Sequence, residues 1–139
     1  MYSTIIHATD LQDDHYSMCT YAKEFADKFG AKLYLIHVIQ PPTSLQLAQS
    51  LGFAEFDRPV QKDALSVMHV IAEGLSLPKE NVMVEIGSIK SHLLKAINDL
   101  GAELIILGKG GHEHLPNILG STAHAITQQA PCHVLTINK

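Results

Sequence analysis

The 139-residue chain has no tryptophan and only two cysteines. Cys19 and Cys132 share no metal-binding or redox spacing, and isolated cysteines of this kind are typical of packed thiols in a reducing compartment. No apolar run reaches the roughly 18 residues that a membrane span needs. The opening MYSTIIHATDL also has neither the basic nor the apolar stretch of a signal peptide. These absences predict a cytoplasmic protein without a membrane segment.

Charge is scarce as well. Charged residues make up 17% of the chain and the net charge is −4, with no run of Lys or Arg. A protein that binds nucleic acid by neutralising phosphates is normally basic, so nucleic acid is not a predicted partner. Hydrophobic residues amount to 46%, which excludes a disordered chain. The length predicts a single domain over residues 1–139, and the low charge favours some surface covered by a partner.

Five short apolar segments, rich in Ile, Val and Leu, have the length and composition of buried β-strands. They are Thr4–Thr9, Lys32–Ile39, Val82–Ile86, Glu103–Leu107 and His133–Ile137. Four segments with helical spacing lie between and after them. These are Asp13–Phe29 with Asp13 or Asp14 as N-cap and Gly30 as C-cap, Val60–Leu75, a helix capped by Ser88 and ended by Gly101, and Ser121–Ala130. The alternation predicts an α/β fold with a parallel sheet.

Gln40–Phe56 interrupts this alternation because it is too long for a simple connection. Pro41 and Pro42 disfavour an immediate helix there. We predict a mobile excursion with a short helical turn within Leu45–Leu51.

The segment Gly108–Ser121, GKGGHEHLPNILGS, follows the fourth predicted strand and is the richest in chemistry. In an open parallel sheet, ligands bind beyond the carboxyl ends of the strands, where the strand order reverses. Glycines at such a point allow positive φ and let N–H groups approach an anion. Gly120 and Ser121 then open a helix whose N-terminus favours phosphate, with the Ser121 hydroxyl capping the helix or donating to the phosphate. Neither GxxxxGK[ST] nor GxGxxG is present, so two ordinary turns remain an alternative.

The spacing Gly108-x2-Gly111-x8-Gly120-Ser121, between ELIIL and PCHVLTI, resembles the ATP-binding signature of the universal stress protein family. TIIHATDLQDD is similar to that family's first strand, which ends in an aspartate, and KLYLIHVI to its second, with a His-Val pair. The resemblance covers nearly the whole chain and is weakest across 40–60. Two departures stand out: eight residues rather than nine precede the last glycine, and Gly110 replaces the usual histidine.

The resemblance implies an open five-stranded sheet in the order 3-2-1-4-5 with helices on both faces, similar to Rossmann-like and adenine nucleotide alpha hydrolase-like folds. The order would reverse between the strands that end at Asp10 and Gly108, which is also where the general rule for such sheets places a ligand. The resemblance further implies ATP, together with Mg²⁺, with Asp10 near the ribose or adenine, Val38 against the adenine, and the glycine segment around the phosphates. The implied binding residues are Ala8, Thr9, Asp10, Val38, Leu107, Gly108, Lys109, Gly111, Gly120, Ser121 and Thr122.

The sequence contains nine histidines, and His112, His114 and His124 suggest a metal site. A zinc site needs three or four ligands, and no cysteine lies nearby, so no metal is predicted. His112 and His114 are expected to be exposed loop residues instead. His37 is expected to be a core histidine whose hydrogen bonds are satisfied, and His7 and His133 suit sheet positions.

The resulting hypothesis is a regulatory, stress-response protein that binds ATP or a related adenine nucleotide, with at most slow ATP hydrolysis. The alternatives are a dimeric interaction module of the same fold without nucleotide, and a weak nucleotide-handling enzyme. Because His133–Ile137 would lie at a sheet edge, and because the family commonly dimerises there, we also expect a homodimer through this strand.

Overall fold

The computed structural model describes residues 1–11, 15–52, 57–109 and 119–138. Five parallel strands form one sheet in the order β3-β2-β1-β4-β5, which confirms the predicted topology. The strands are β1 Thr4–Ala8, β2 Lys32–Ile39, β3 Val82–Ile86, β4 Leu104–Gly108 and β5 His133–Ile137. β2, β3 and β5 have the predicted bounds. β1 ends one residue earlier than predicted, and β4 is shifted one residue later.

Five α-helices occur within the described residues: α1 His15–Phe29, α2 Thr43–Ser50, α3 Asp57–Gly74, α4 Ile89–Leu100 and α5 Ser121–Gln129. A single 3-10 turn, Lys79–Asn81, precedes β3. The predicted limits of α4 are confirmed, since the Ser88 hydroxyl accepts from Ser91 N at 3.3 Å and Gly101 ends the helix with φ 62°. Asp13 and Asp14, the predicted caps of α1, lie outside the described residues.

The segment after β2 is more helical than predicted. α2 begins at Thr43, directly after Pro42, and spans eight residues instead of one turn. The prediction failed because proline disfavours helix at the residue before it, here Pro41, and not at the residue after it. Pro42 itself is extended, with φ −58° and ψ 148°, and serves as the N-cap. No residue of α2 is buried, and Leu47 is 62% exposed.

α1 and α3 pack on one face of the sheet and α4 and α5 on the other, which confirms the prediction of helices on both faces. One core lies between the sheet and α1 with α3, and includes Ile5, Leu35, Met68 and Ile106. The second core lies between the sheet and α4 with α5, and includes Ile6, Ile36, Ile97 and Ile126. Successive strand residues point to opposite faces, so the central strands need apolar residues at nearly every position. Within the described ranges, every helix is too short or too polar to span a bilayer.

The two edges of the sheet differ. At the end of β3, Gly87 N donates to Ile39 O of β2, so the backbone groups of Gly87 point toward β2. Because these groups alternate along a strand, the carbonyls of Val84 and Ile86 point away from β2, toward the outer edge. Gln61 Nε2 of α3 donates to Val84 O at 2.7 Å, and His92 Nε2 of α4 lies 3.2 Å from Ile86 O. The outer edge of β3 is therefore capped by side chains.

Candidate functional site

The ends of β1 and β4 lie side by side, because Ala8 is paired with Leu107 in the sheet register. The start of α5 lies at the same end of the sheet. Lys109 N donates to Ile137 O at 2.8 Å, and Gly120 N donates to Lys109 O at 3.0 Å. The ten predicted binding residues that the structure describes therefore lie at one end of the sheet. Gly111, the eleventh, is outside the described residues.

Apolar side chains line the α4–α5 side of this end of the sheet. Val38 and Leu107 are 8% and 4% exposed and belong to the second core. Ala8 and Leu119 pack against the same core. Asp10, which follows β1, is exposed. This end of the sheet thus has an apolar α4–α5 side and an exposed acidic residue after β1.

The first helical turn of α5 supplies backbone donors. Gly120 is the N-cap, and His124 N donates to Gly120 O at 2.9 Å, so the N–H groups of residues 121–123 have no acceptor within the helix. Of the two roles considered for the Ser121 hydroxyl, capping α5 is not observed, because Ser121 is the first helical residue and no side chain caps this end. Ser121 itself is exposed and Thr122 is half-buried. These donors, together with the positive end of the helix dipole, favour an anion.

Gly108, for which a positive φ was considered, is not among the residues with positive φ. Gly120, which opens α5, has φ −61°. Gly108 is constrained by packing instead, because a Cβ atom there would lie 2.6 Å from the Met18 Cε atom of α1. Gly120 N is already bonded to Lys109 O, so its amide holds the segment together and is not a donor for a ligand.

Thr9 is held by hydrogen bonds to three different residues, which the sequence did not indicate. Its N–H donates to Ile36 O at 2.9 Å, and its carbonyl lies 2.8 Å from Nδ1 of His37. Since a carbonyl can only accept, His37 Nδ1 carries the proton. The Thr9 hydroxyl accepts from Leu11 N at 3.2 Å. His37 was expected to be a core histidine with satisfied hydrogen bonds. Its Nδ1 has a partner in Thr9 O, but the residue is only half-buried and extends from β2 to the end of β1.

Two further titratable groups lie beneath Asp10 on the α1 side of the sheet. His7 Nδ1 bonds to Ile106 O at 2.9 Å, while Nε2 is buried without a partner among the described residues. Burial lowers the pKa of His7. Burial also raises the pKa of the Cys19 thiol to about 11, so this cysteine is a packed thiol, as expected, and not a nucleophile.

The structure supports no metal centre at the described positions. No three His, Cys, Asp or Glu side chains in these ranges are grouped closely enough to hold an ion. His112 and His114 lie outside the described residues. A cavity of about 360 Å³ lies on the opposite side of the sheet from Val38 and Leu107. It is lined by Met18 and Tyr21 of α1 and by Leu135 and Ile137 of β5, among others.

Comparison with known proteins bears on this arrangement. The family model described as "Universal stress protein family" matches residues 1–138. The chain belongs to the universal stress protein family. Among its relatives, universal stress protein A homolog 2 of Coxiella burnetii is 30% identical over 117 residues, which are 84% of this chain and 80% of that protein.

Solved universal stress proteins share the fold. The protein UspA from Lactobacillus plantarum matches with a TM-score of 0.74 and 21% identity, covering 98% of this chain and 97% of that one. A universal stress protein in complex with cAMP matches with a TM-score of 0.68 and 18% identity, covering 98% of this chain and 97% of that one. The order of strands and the placement of helices on both faces are thus common to these proteins.

Proposed function

We propose that this universal stress protein binds ATP or a related adenine nucleotide where β1, β4 and α5 meet, and that it acts as a regulatory module in the stress response. The observation that carries the proposal is the link from Gly120 N to Lys109 O, which brings the N-terminus of α5 to the end of β4. Asp10 lies at the end of the neighbouring strand. A fold relative was solved with cAMP, which supports an adenine nucleotide as the ligand.

Each part of the nucleotide has a matching group. The adenine would lie against Val38, and the Asp10 carboxylate would accept hydrogen bonds from hydroxyl groups of the ribose. The phosphates would lie at the first turn of α5, where the N–H groups of residues 121–123 have no acceptor within the helix. Lys109 adds a positive charge at the end of β4. Mg²⁺ would accompany the phosphates, since oxygen ligands suit this ion.

Titration calorimetry of the purified protein with ATP, ADP and cAMP tests this proposal. Asp10→Ala should weaken binding by about 1–3 kcal/mol, the usual value of a charge-assisted hydrogen bond. Asp27→Ala is the matched control, because Asp27 is exposed on α1 and pairs with Lys23 at 2.6 Å. The control should bind like the wild type.

Gly120→Val tests the phosphate side separately. Valine adopts the extended backbone of Gly120, with φ −61° and ψ 160°, so the fold should persist while the side chain blocks the first turn of α5. Wild-type protein without affinity for any of the three nucleotides would contradict the proposal and favour an interaction module of the same fold. Normal binding by both Asp10→Ala and Gly120→Val would place the ligand elsewhere.

We also propose that the protein forms a homodimer through β5. The hydrogen bonds from His133 N to Glu103 O and from Lys109 N to Ile137 O show that residues 133, 135 and 137 face β4. The backbone groups of Val134 and Thr136 therefore point away from the sheet, and an edge of this kind pairs readily with another strand. The β3 edge is less available for strand pairing, because the Gln61 and His92 side chains already bond to its outward carbonyls.

A further inference from the structure

We propose that an aromatic cluster beside the start of β5 packs, in the dimer, against a cavity beside the end of the partner copy's β5, and that the partner's cluster packs likewise against the first copy. The aromatic cluster consists of Tyr2, Phe25, Phe29 and His133. The cavity is the one lined by Met18, Tyr21, Leu135 and Ile137, among others. This inference rests on the proposed dimer through β5 and names the side chains that would complete its interface.

β5 alone is too small to hold two copies together. It has five residues, so it is about 17 Å long, and with a thickness of about 10 Å its edge offers on the order of 170 Å². A stable interface buries roughly 800 Å² on each partner. A dimer through this strand must therefore also bury side chains that flank β5.

Aromatic side chains flank β5 on the α1 face of the sheet. Tyr21, Phe25 and Phe29 recur every four residues along α1 and form one stripe, in which successive ring centroids lie 6.4 and 5.2 Å apart. Tyr2 joins this stripe to β5, since its ring lies 5.1 Å from that of Phe29 and 5.7 Å from that of His133. Tyr21 and Phe29 are 45% and 41% exposed, which leaves a large aromatic surface for a partner to cover.

The cavity lies farther along the same face. The side chains of Leu135 and Ile137 pack on the first core and so point to the α1 side, as does that of His133, because alternate residues of a strand share a face. Met18, near the start of α1, borders the cavity beside the end of β5. Phe29, the last residue of α1, belongs to the cluster beside the start of β5. One copy thus carries the cluster at one end of the strand and the cavity at the other.

Two-fold pairing of β5 brings these two features together. Antiparallel pairing reverses the strand direction but keeps the α1 faces of both copies on one side of the joined sheet. If all five residues of β5 pair, Leu135 lies opposite the partner's Leu135, and His133 opposite the partner's Ile137. The backbone groups of these residues face β4, so the pairs are not hydrogen-bonded and their Cα atoms lie about 4.5 Å apart. Each cluster therefore meets the partner's cavity, and the contact occurs twice.

The two surfaces also match in chemistry. None of the described residues that line the cavity of about 360 Å³ is charged. In the cluster, the Tyr2 hydroxyl lies 2.8 Å from His133 Nδ1, so covering this pair costs less than covering two unpaired polar groups. Aromatic side chains in an uncharged surround are typical of the centre of a stable interface.

Mixed dimers of two variants test the contact. Tyr2→Ala removes a ring of the cluster and Tyr21→Ala removes a wall of the cavity. Each should raise the Kd of the dimer by about tenfold, because the change occurs twice in a symmetric dimer. In a mixed dimer, one contact carries both changes and the other is intact. Native mass spectrometry of an equal mixture, with one variant isotope-labelled, should then show roughly three quarters of the dimers as mixed, against one half for random pairing.

Tyr16→Ala is the matched control. Tyr16 is an exposed tyrosine of the same helix, but it lies against Gly74 of α3 instead of β5. This variant should dimerise like the wild type and pair at random with either of the other two. If Tyr2→Ala proves unstable by circular dichroism, Phe29→Ala removes a more exposed ring of the same cluster and takes its place.

The register is tested by Leu135→Cys in a Cys132→Ser background. Two copies of residue 135, with Cα atoms about 4.5 Å apart, should form a disulfide between the chains under mild oxidation. Thr136→Cys should not, because two copies of residue 136 are diagonal neighbours about 7–8 Å apart. Cross-linking at residue 136 and not at residue 135 would mean a shifted register and would overturn the proposed contact.

The remaining outcomes separate this inference from the proposal on which it rests. A wild type that is monomeric at micromolar concentrations would overturn the dimer and the contact together. Cross-linking at residue 135 combined with wild-type Kd values for Tyr2→Ala and Tyr21→Ala would overturn the contact alone. Mixed dimers at one half of the total would do the same, and the cavity would then be open to a different ligand or partner.

Discussion

At the scale of single residues, His7 stands out among the described side chains because one of its ring nitrogens is buried without a partner. It lies in the central strand with 1% of its surface exposed, and only Nδ1 has a hydrogen-bond partner in the described part of the chain. Because Nδ1 donates its proton to Ile106 O, protonation of the ring would have to occur at Nε2. There the added charge would be buried without a hydrogen-bond acceptor among the described residues. Desolvation therefore lowers the pKa of His7 from its ordinary value of 6.5.

This shift predicts a loss of stability in mild acid. Below about pH 6.5 the unfolded chain binds a proton at His7 that the folded chain does not, so the free energy of unfolding should fall with pH until the folded-state pKa is reached. One such group contributes at most about 1.4 kcal/mol per pH unit. The free energy of unfolding, measured with urea between pH 8 and 5, should depend less on pH in His7→Gln than in the wild type. The exposed His124 gives the control, His124→Gln, and equal slopes for all three proteins would contradict the assignment.

Gly108 illustrates a different constraint at this scale. Its missing Cβ makes room for the Met18 side chain, which lies where a methyl group would come. Gly108→Ala should therefore lower the melting temperature slightly, because the flexible end of Met18 can move aside at modest cost. Met18→Ala removes the obstacle, so Gly108→Ala should cost less in that background. Additive effects in thermal unfolding would show that the contact is not the cause.

At the scale of elements, the starts of β1 and β4 are joined by one carboxylate. Glu103 Oε1 accepts from Ser3 N at 2.8 Å, from Thr4 N at 3.1 Å and from the Ser3 hydroxyl. These donors favour the charged form and hold the pKa of Glu103 below its ordinary value of 4.5. Its contribution to stability is then complete above about pH 4.5 and is lost as the pH falls through the lower, folded-state value.

The isosteric variant Glu103→Gln tests this connection. At neutral pH it should melt at a lower temperature than the wild type, since a neutral amide oxygen is the weaker acceptor. The difference should shrink as the pH falls through the lowered, folded-state pKa of Glu103, because the glutamate itself then becomes neutral. Glu24→Gln, an exposed change on α1, should show no such convergence. A difference in melting temperature that is constant with pH would show that the charge has no part in the connection.

The elements themselves were largely predictable, and the contacts between them were not. Strand segments such as His133–Ile137 are apolar runs between turn residues, and Ser88 and Gly101 mark a helix through purely local chemistry. The bond from His37 to Thr9 joins residues 28 positions apart, and Met18 contacts Gly108 from another element. Local spacing carries no information on such pairs. The glycine pattern predicted which end of the sheet holds the candidate site. It suggested a positive φ for Gly108, whereas the observed constraint there is the packing of Met18.

At the scale of the whole molecule, the two edges of the sheet are unequal. Gln61 and His92 bond to outward carbonyls of β3, whereas the outward groups of β5 belong to Val134 and Thr136. The cavity formed by Tyr21 of α1 and Leu135 of β5 lies alongside that edge and offers an apolar surface next to it. Backbone donors and apolar side chains thus occur together on the β5 side, as a strand-paired dimer requires.

Thr136→Pro tests the dimer without disturbing the core. Thr136 is exposed and its N–H points away from β4, so proline removes one outward donor and is tolerated at a strand edge. We expect sedimentation velocity at micromolar concentrations to show a dimeric wild type and a monomeric variant with an unchanged circular dichroism spectrum. Thr136→Val keeps the N–H and should remain dimeric. A wild type that is monomeric, or a Thr136→Pro variant that still dimerises, would mean that β5 is not the interface, because antiparallel pairing of two copies of this strand depends on the outward N–H groups.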